Sequence, residues 1–360
     1  MRERDLIRNM PKGSIINGID DLNPNCIKKT GRFLSIVIPK GIMMINCRAF
    51  IGCCRYLKSI EISESVVIID KKAFAHCDCL DTISVNSNNK VYDSRNNCNA
   101  IIRSKDNKLI FGCKASIIPN GVKSIDKDAF SHCHNLTSLI IPESLQLFNF
   151  QSIHYKEALK TIKVDRNNSI YDSRDNCNAV IRSSDSSLIL ACNYSIIPDG
   201  IKIIGDSAFC NCTELKNVSV PNGVIEISDN AFSNCHHLEK INLPDTVVSI
   251  GIRAFEACSS LETVTLPQGL SNISESAFEN CSKLSKIIIK DGLKFIGSYA
   301  FCGCQKLEEV YLPDSIESVG ESIFYPHSLI KRILISKGSR KKFEFLLSQY
   351  KELLVEVTKH

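Results

Sequence analysis

A phrase of about 23 residues returns along this chain, and it constrains the fold more than any other feature. Each copy reads apolar-x-apolar-Pro, then Gly with Val or Ile, then Ala-Phe, then Cys-x-x-Leu. Leu215, Val218, Val220 and Pro221 open one copy, and Leu238, Ile241, Leu243 and Pro244 open the next at the same spacing. A period of that length means stacked coils, each able to bury its apolar residues only against its neighbours. The chain is therefore expected to form one elongated solenoid of about ten coils, whose product is a long surface.

The columns are regular. Pro39, Pro119, Pro142, Pro198, Pro221, Pro244, Pro267 and Pro313 share one slot, filled elsewhere by Ser63, Lys290 and Ser336. Eleven residues later stand Phe50, Phe74, Phe130, Phe209, Phe232, Phe255, Phe278, Phe301 and Phe324, with Ile153 as the one substitution. These are nine of the chain's sixteen phenylalanines, and the fixed offset predicts a stacked aromatic spine. Between the Leu and the Pro, apolar and polar residues alternate, as in Leu261, Glu262, Thr263, Val264, Thr265, Leu266 and Pro267. Period two marks a half-buried strand, so the coils should line up their strands in a continuous parallel sheet on one face. The second half of each coil reads as a shorter extended piece leading into a turn.

Two longer segments, 86–116 and 165–195, interrupt the period and match each other. Tyr92-Asp93-Ser94-Arg95 corresponds to Tyr171-Asp172-Ser173-Arg174, and Cys98 and Cys113 to Cys177 and Cys192, always 79 residues apart. Alternation at 100–103 and 108–112 around Asp106-Asn107 predicts hairpin-like insertions. After Ile335 the pattern stops. Phe343, Leu346, Leu347, Tyr350, Leu353 and Leu354 then fall on one helical face, predicting an amphipathic helix over 339–357 that covers the last coil. The expected organisation is an N-terminal remnant or partial cap (1–30), the solenoid (31–336) and a C-terminal capping helix (337–360).

The phrase Ile-Pro-x-Gly-Val-x-x-Ile-x-x-x-Ala-Phe-x-x-Cys-x-x-Leu, here from Ile118 to Leu136, resembles the unit of the BspA-like leucine-rich repeat family of bacterial surface proteins. The Tyr-Asp-Ser-Arg-Asn-Asn-Cys-Asn-Ala-Ile-Ile insertion and the ending from Lys341-Lys342-Phe343 to Leu354 are also similar to that family. The resemblance implies a repeat superhelix, a place at the cell surface or outside the cell, and adhesion to host extracellular-matrix or cell-surface proteins. A first stretch lacking a secretory apolar core keeps a cytoplasmic placement as the alternative. A monomer is expected.

Composition narrows the function further. Net charge is +5, but residues 1–60 hold eleven Lys/Arg against four Asp/Glu, which leaves −2 for the remainder. A local basic excess without a reading module does not suggest nucleic-acid binding. No apolar run is long enough for a membrane span. Eight of the eighteen cysteines (Cys54, Cys77, Cys133, Cys212, Cys235, Cys258, Cys281 and Cys304) stand three residues before the Leu of their coil, where a small buried thiol facing a backbone turn is expected. Cys210-x-Cys212, Cys302-x-Cys304 and Cys77-x-Cys79, with His132-Cys133-His134 and Cys235-His236-His237, raise a metal reading, yet none supplies the two matched pairs of a structural zinc site. Cys98/Cys113 and Cys177/Cys192 are the disulfide candidates, set against buried free thiols. No nucleophile elbow, phosphate loop or zinc-protease helix is present, so no catalytic residue, metal or cofactor is assigned.

What remains is the outer side of the sheet. Alternation places Ser59/Glu61, Thr82/Ser84, Ser138/Ile140, Thr161/Lys163, Asn217/Ser219, Lys240/Asn242, Thr263/Thr265, Lys286/Ile288 and Glu309/Tyr311 toward solvent. Lys240, Asn242, Thr263, Thr265, Lys286, Ile288, Glu309 and Tyr311 form the candidate surface for a protein ligand, with Ile288 and Tyr311 as its apolar anchors. The competing reading is plain sheet surface.

Overall fold

A computed structural model describes residues 10–131, 133–149, 153, 155–324 and 329–358. His132, the termini of the chain and the segment after Phe324 up to Ser328 lie outside the described residues. The chain divides into two compact units, Met1–Leu159 with Val164–Asn168, and Lys160–Lys163 with Ser169–His360. The division falls at the coil where Ile153 replaces phenylalanine in the spine. Both units are β-solenoids, about 14 turns in all. The count exceeds ten because the N-terminal segment and the insertions contribute strands of their own to the ladders.

Each turn carries two short strands, and like strands pair parallel one coil apart. In the second unit Asn217–Ser219, Lys240–Asn242, Thr263–Thr265 and Lys286–Ile288 form one ladder. Glu309–Tyr311 and Arg332–Ser336 continue in a separate three-stranded ladder. The predicted sheet is therefore segmented. The other face carries two-residue strands such as Ile203–Ile204, Glu226–Ile227 and Ser249–Ile250.

The spine lies between these ladders. Phe209, Phe232, Phe255, Phe278, Phe301 and Phe324 stack with ring centroids 4.9, 5.3, 5.2, 6.0 and 5.9 Å apart, and all are buried. In the first unit Phe50 stacks on Phe74 at 5.4 Å, and Phe111 from the insertion continues the column at 4.7 Å. Gly112 follows because Phe130 lies against it: a Cβ there would stand 2.3 Å from Phe130 Cε1. The turns around Phe209, Phe232, Phe255, Phe278 and Phe301 place left-handed backbone two residues before and two residues after the ring. Asn, Ser or Gly fill many of these positions, but Arg253, Ala257 and Tyr299 also adopt φ of 55 to 59°.

Hydroxyls clip one coil to the next. Ser65, Ser144, Thr246 and Ser315 each accept the amide of a loop glycine in the preceding coil (Gly41, Gly121, Gly223 and Gly292). Each also donates to a carbonyl nearby in that coil, at 2.6–2.8 Å.

The insertions are hairpins in both copies. Ala100–Arg103 pairs antiparallel with Lys108–Gly112, and Val180–Arg182 with Ser187–Leu190. Lys108–Gly112 then pairs parallel with Ser124–Ile125, so its outer strand doubles as a rung of the solenoid.

The two ends differ from expectation in detail. At the N-terminus Ile15–Ile16 already pairs with Met44–Ile45, and Ile27–Thr30 runs antiparallel to Phe33–Val37. At the C-terminus the helix covers only Arg340–Leu346; a 3-10 turn follows at Ser348–Leu353, and Leu354–Val357 is a strand. That strand pairs parallel with Arg332–Ser336. A helix continuing to Val357 would hide the apolar face yet leave the edge of Arg332–Ser336 unpaired; the strand satisfies both. Phe343, Leu347 and Leu354 are buried in the core, with Leu346, Tyr350 and Leu353 packed against it, so the apolar face follows the sequence although the helix does not.

Phe255 touches a ring on either side, so Phe255→Ala opens a cavity in the spine and is expected to cost about 3–5 kcal/mol. Urea unfolding followed by circular dichroism measures it; a loss below about 1 kcal/mol would show that the rings do not carry the stacking.

Candidate binding surface

The four-stranded ladder of the second unit is built so that one residue in two faces solvent. Val218, Ile241, Val264 and Ile287 point inward and are buried. The flanking residues form two outer rows. Asn217 pairs with Lys240, Lys240 with Thr263, and Thr263 with Lys286; Ser219 pairs with Asn242, and Thr265 with Ile288. Lys240, Asn242, Thr263, Thr265, Lys286 and Ile288 are all exposed, Ile288 by 43%.

Glu309 and Tyr311 occupy the next ladder and are only half-buried, because the following rung holds them. The Arg332 guanidinium pairs with Glu309 Oε2, and the Tyr311 hydroxyl lies 2.9 Å from Ser336 Oγ. Both engage neighbours in the fold, whereas the six side chains of the open ladder make no hydrogen bond or ion pair among the described residues.

A rim runs along the loops that follow these strands, and it was not singled out from sequence. Asp245 Oδ1 accepts the Gln268 amide at 2.9 Å and the Lys290 ammonium at 2.7 Å, while Gln268 Nε2 donates to the Asp291 carbonyl. The Lys290 hydrogen bond, with the Gln268 amide, holds the Asp245 carboxyl below its ordinary range. The readable signal was the 23-residue spacing of Asp245, Gln268 and Asp291.

The ladder cysteines have a structural partner. Cys235, Cys258, Cys281 and Cys304 each donate through Sγ to the carbonyl of the phenylalanine one coil back, all at 3.2 Å. Burial pushes three of these thiols up, Cys281 to about 12 and Cys258 and Cys304 well above the ordinary value. Such sulfurs are poor nucleophiles and poor metal ligands, since both roles need thiolate. All eighteen cysteines are free, including Cys98, Cys113, Cys177 and Cys192. No group of three or more potential metal-binding side chains converges among the described residues. The His134 ring meets Tyr155 at 3.5 Å with a tilt of 35°, and His236 and His237 contact the Ala257 and Thr213 carbonyls through Nδ1.

The duplicated Asp-Ser-Arg motif is an internal brace. Asp93 is held by Arg95 (2.6 Å) and Ser104 (2.8 Å), Asp172 by Arg174 (2.6 Å) and Ser183 (2.9 Å). Partial burial alone would raise these carboxyls, but the guanidinium, hydroxyl and backbone-amide hydrogen bonds outweigh it and hold both below the usual aspartate value. Asn89 was not anticipated: its Nδ2 donates to the Ser63 and Val66 carbonyls while its Oδ1 accepts the Val91 and Tyr92 amides. Asn168, 79 residues on, donates likewise to Pro142 and Leu145.

Comparison with known proteins agrees with this architecture. The model of the BspA type leucine rich repeat region matches residues 10–105, 107–180, 189–292 and 271–354. Among solved structures, the chain is similar to a leucine-rich repeat protein of Eubacterium ventriosum (21% identity, 83% of each chain, TM-score 0.56). It is also similar to a leucine rich cell surface protein of Faecalibacterium prausnitzii (22% identity, 89% of this chain and 88% of that one, TM-score 0.54). No curated protein matches.

Two predictions follow from these side chains. Iodoacetamide at about pH 8 should modify exposed Cys47 in the folded chain but leave Cys258, Cys281 and Cys304 untouched until unfolding, as read by peptide mass spectrometry. Rapid native labelling of Cys258 would contradict its buried, hydrogen-bonded placement. Because the folded Asp93 and Asp172 values lie below the unfolded one, the braces stabilise fully above the unfolded value and fade as pH falls through the folded one. An Asp93→Asn, Asp172→Asn variant should be less stable at neutral pH and lose less stability between about pH 5 and about pH 2; parallel melting curves for variant and parent would refute this.

Proposed function

Because the chain belongs to the BspA-type leucine-rich repeat family, we propose that it is a non-enzymatic module that holds a protein partner on the outer face of its parallel sheet. The observation that carries the reading is the open ladder of the second unit, where six side chains in two rows face solvent while the inward positions are consumed by the core. Ile288 supplies an exposed apolar anchor, Lys286 stands beside it on the same strand, and Lys240 adds positive charge two strands back. Such a mix of one anchor and adaptable polar neighbours suits protein recognition better than chemistry. Glu309 and Tyr311 extend the patch toward the next ladder, in a supporting role.

The partner class we favour is a host extracellular-matrix or cell-surface protein, met by a chain displayed at the cell surface or released from it. The experiment is surface plasmon resonance over immobilised matrix proteins. A Lys286→Glu, Ile288→Asp variant, altered only at exposed positions, should bind at least tenfold more weakly while melting as the parent does. Unchanged affinity would remove this face from the reading.

A second reading, an intracellular scaffold of the same shape, is favoured by the eighteen free thiols, which suit a reducing compartment. Protease treatment of intact source cells separates the two: digestion supports display outside the cell, and full protection with a cytosolic pool supports the scaffold.

A further inference from the structure

In the first unit, beside the strand Ile68–Ile69, lies a cleft of ≈ 380 Å³. Its origin is topological. Ile68–Ile69 pairs with Met44–Ile45 on one side, and among the described residues it has no strand partner on the other. Where the next parallel rung belongs, the insertion instead supplies an antiparallel meander of Tyr92–Asp93, Ala100–Arg103 and Lys108–Gly112. The Tyr92 hydroxyl accepts the Ile69 amide at 3.2 Å and reaches the Val67 carbonyl at 3.4 Å. The strand edge is thereby satisfied while the space beside it stays open.

The cleft has an apolar base and a charged mouth. Ile68, Phe74, Ile110 and Phe111 line the base. At the mouth Asp126 is paired with Lys108 Nζ at 2.7 Å, while Asp70, whose Oδ1 accepts the Lys72 backbone amide at 2.8 Å, keeps its charge and is set against the cations there. Arg103 spends Nε and Nη2 on Asp106, and Nη1 makes no hydrogen bond among the described residues. Lys71 and Lys105, both exposed, make no ion pair among the described residues. The surplus at the mouth is cationic.

The second insertion serves as an internal control. It keeps Tyr171, Arg182 and Asp185 where the first has Tyr92, Arg103 and Asp106, and the Arg182–Asp185 pair forms there too. It carries Phe150, Ser184 and Gly205 in place of Lys71, Lys105 and Asp126. The lysines are therefore no part of what holds an insertion together.

From these observations we infer that the cleft binds an apolar group bearing a carboxylate, with the ring or alkyl chain against the half-buried Ile69, Val91 and Ile110 and the anion at Lys71, Lys105 and the outer edge of Arg103. The volume lies within the range of about 300–1,000 Å³ typical of small-ligand sites, and an aromatic ring needs on the order of 150 Å³. This chemistry occurs at the C-terminal residue of a polypeptide and in free arylalkanoic acids. The site is separate from the sheet face proposed above and stands without it.

Isothermal titration of the full chain at low salt tests the inference with four probes: 3-phenylpropionate, its amide, and an acetylated tripeptide ending in phenylalanine as free acid and as amide. At least one acid should bind, and at least tenfold more tightly than its amide. A Lys71→Ala, Lys105→Ser variant should melt as the parent does and bind that acid about tenfold more weakly. Binding of the peptide acid alone identifies a chain terminus as the source, and equal binding of 3-phenylpropionate a free acid. Equal affinity for acids and amides, undiminished binding by the variant, or binding of neither acid overturns the inference.

Discussion

From Phe209 to Phe301 each coil leaves a buried amide that only the next coil satisfies, and the phenylalanine backbone shows how. The Phe232 amide donates to the Ala254 carbonyl of the following coil at 2.7 Å, and the Phe232 carbonyl receives the Cys258 thiol of that same coil at 3.2 Å. An unpaired buried peptide group costs about 1–3 kcal/mol, so the ring stack and the hydrogen bonds impose the same order. The final coil then needs a substitute for its missing neighbour. Tyr350 provides it: its ring meets Phe324 edge-on at 5.4 Å, and its hydroxyl accepts the Phe324 amide at 3.3 Å. Tyr92 makes the same exchange at Ile69, where the insertion interrupts the ladder. In both places a phenol oxygen occupies the role of a backbone carbonyl.

This dependence governs what could be read from sequence. Anything that must recur in every coil is visible as a column, and the phenylalanine spine, the ladder cysteines and the alternating strands stand where the period puts them. The insertions were legible because they occur twice. Features that occur once were harder. The C-terminal pattern of Phe343, Leu347 and Leu354 identifies a buried face, but a helical spacing cannot reveal that an unpaired strand edge waits beside it to claim Leu354–Val357. Likewise Arg253, Ala257 and Tyr299 give no hint of left-handed backbone; their neighbours in the stack impose it.

The candidate surface was legible for the same reason the core was. Once alternation fixes Ile241, Val264 and Ile287 as inward, Lys240, Thr263 and Lys286 must face outward, and they do. The sequence could not show which outward residues stay free, because that depends on cross-strand partners. Glu309 and Tyr311 share the alternation yet are engaged by Arg332 and Ser336, one coil on. The same limit hid the rim of Asp245, Gln268 and Lys290, whose spacing was visible but whose contacts were not.

A duplicated segment inside one chain separates scaffold from freedom more cleanly than either copy alone. The brace Asp93–Arg95 recurs as Asp172–Arg174, the hairpin clasp Arg103–Asp106 as Arg182–Asp185, and the asparagine anchor Asn89 as Asn168. Each has a local partner that explains its presence in both copies. Lys108 and Asp126 pair with each other in the first copy, and Ser187 and Gly205 replace them in the second. An ion pair absent from one of two hairpins with the same pairing is not required to form that hairpin. Its presence marks where the first insertion has acquired surface chemistry of its own, and that chemistry gathers around the Ile68–Ile69 edge, where the Tyr92 hydroxyl stands in place of a full rung beside open space.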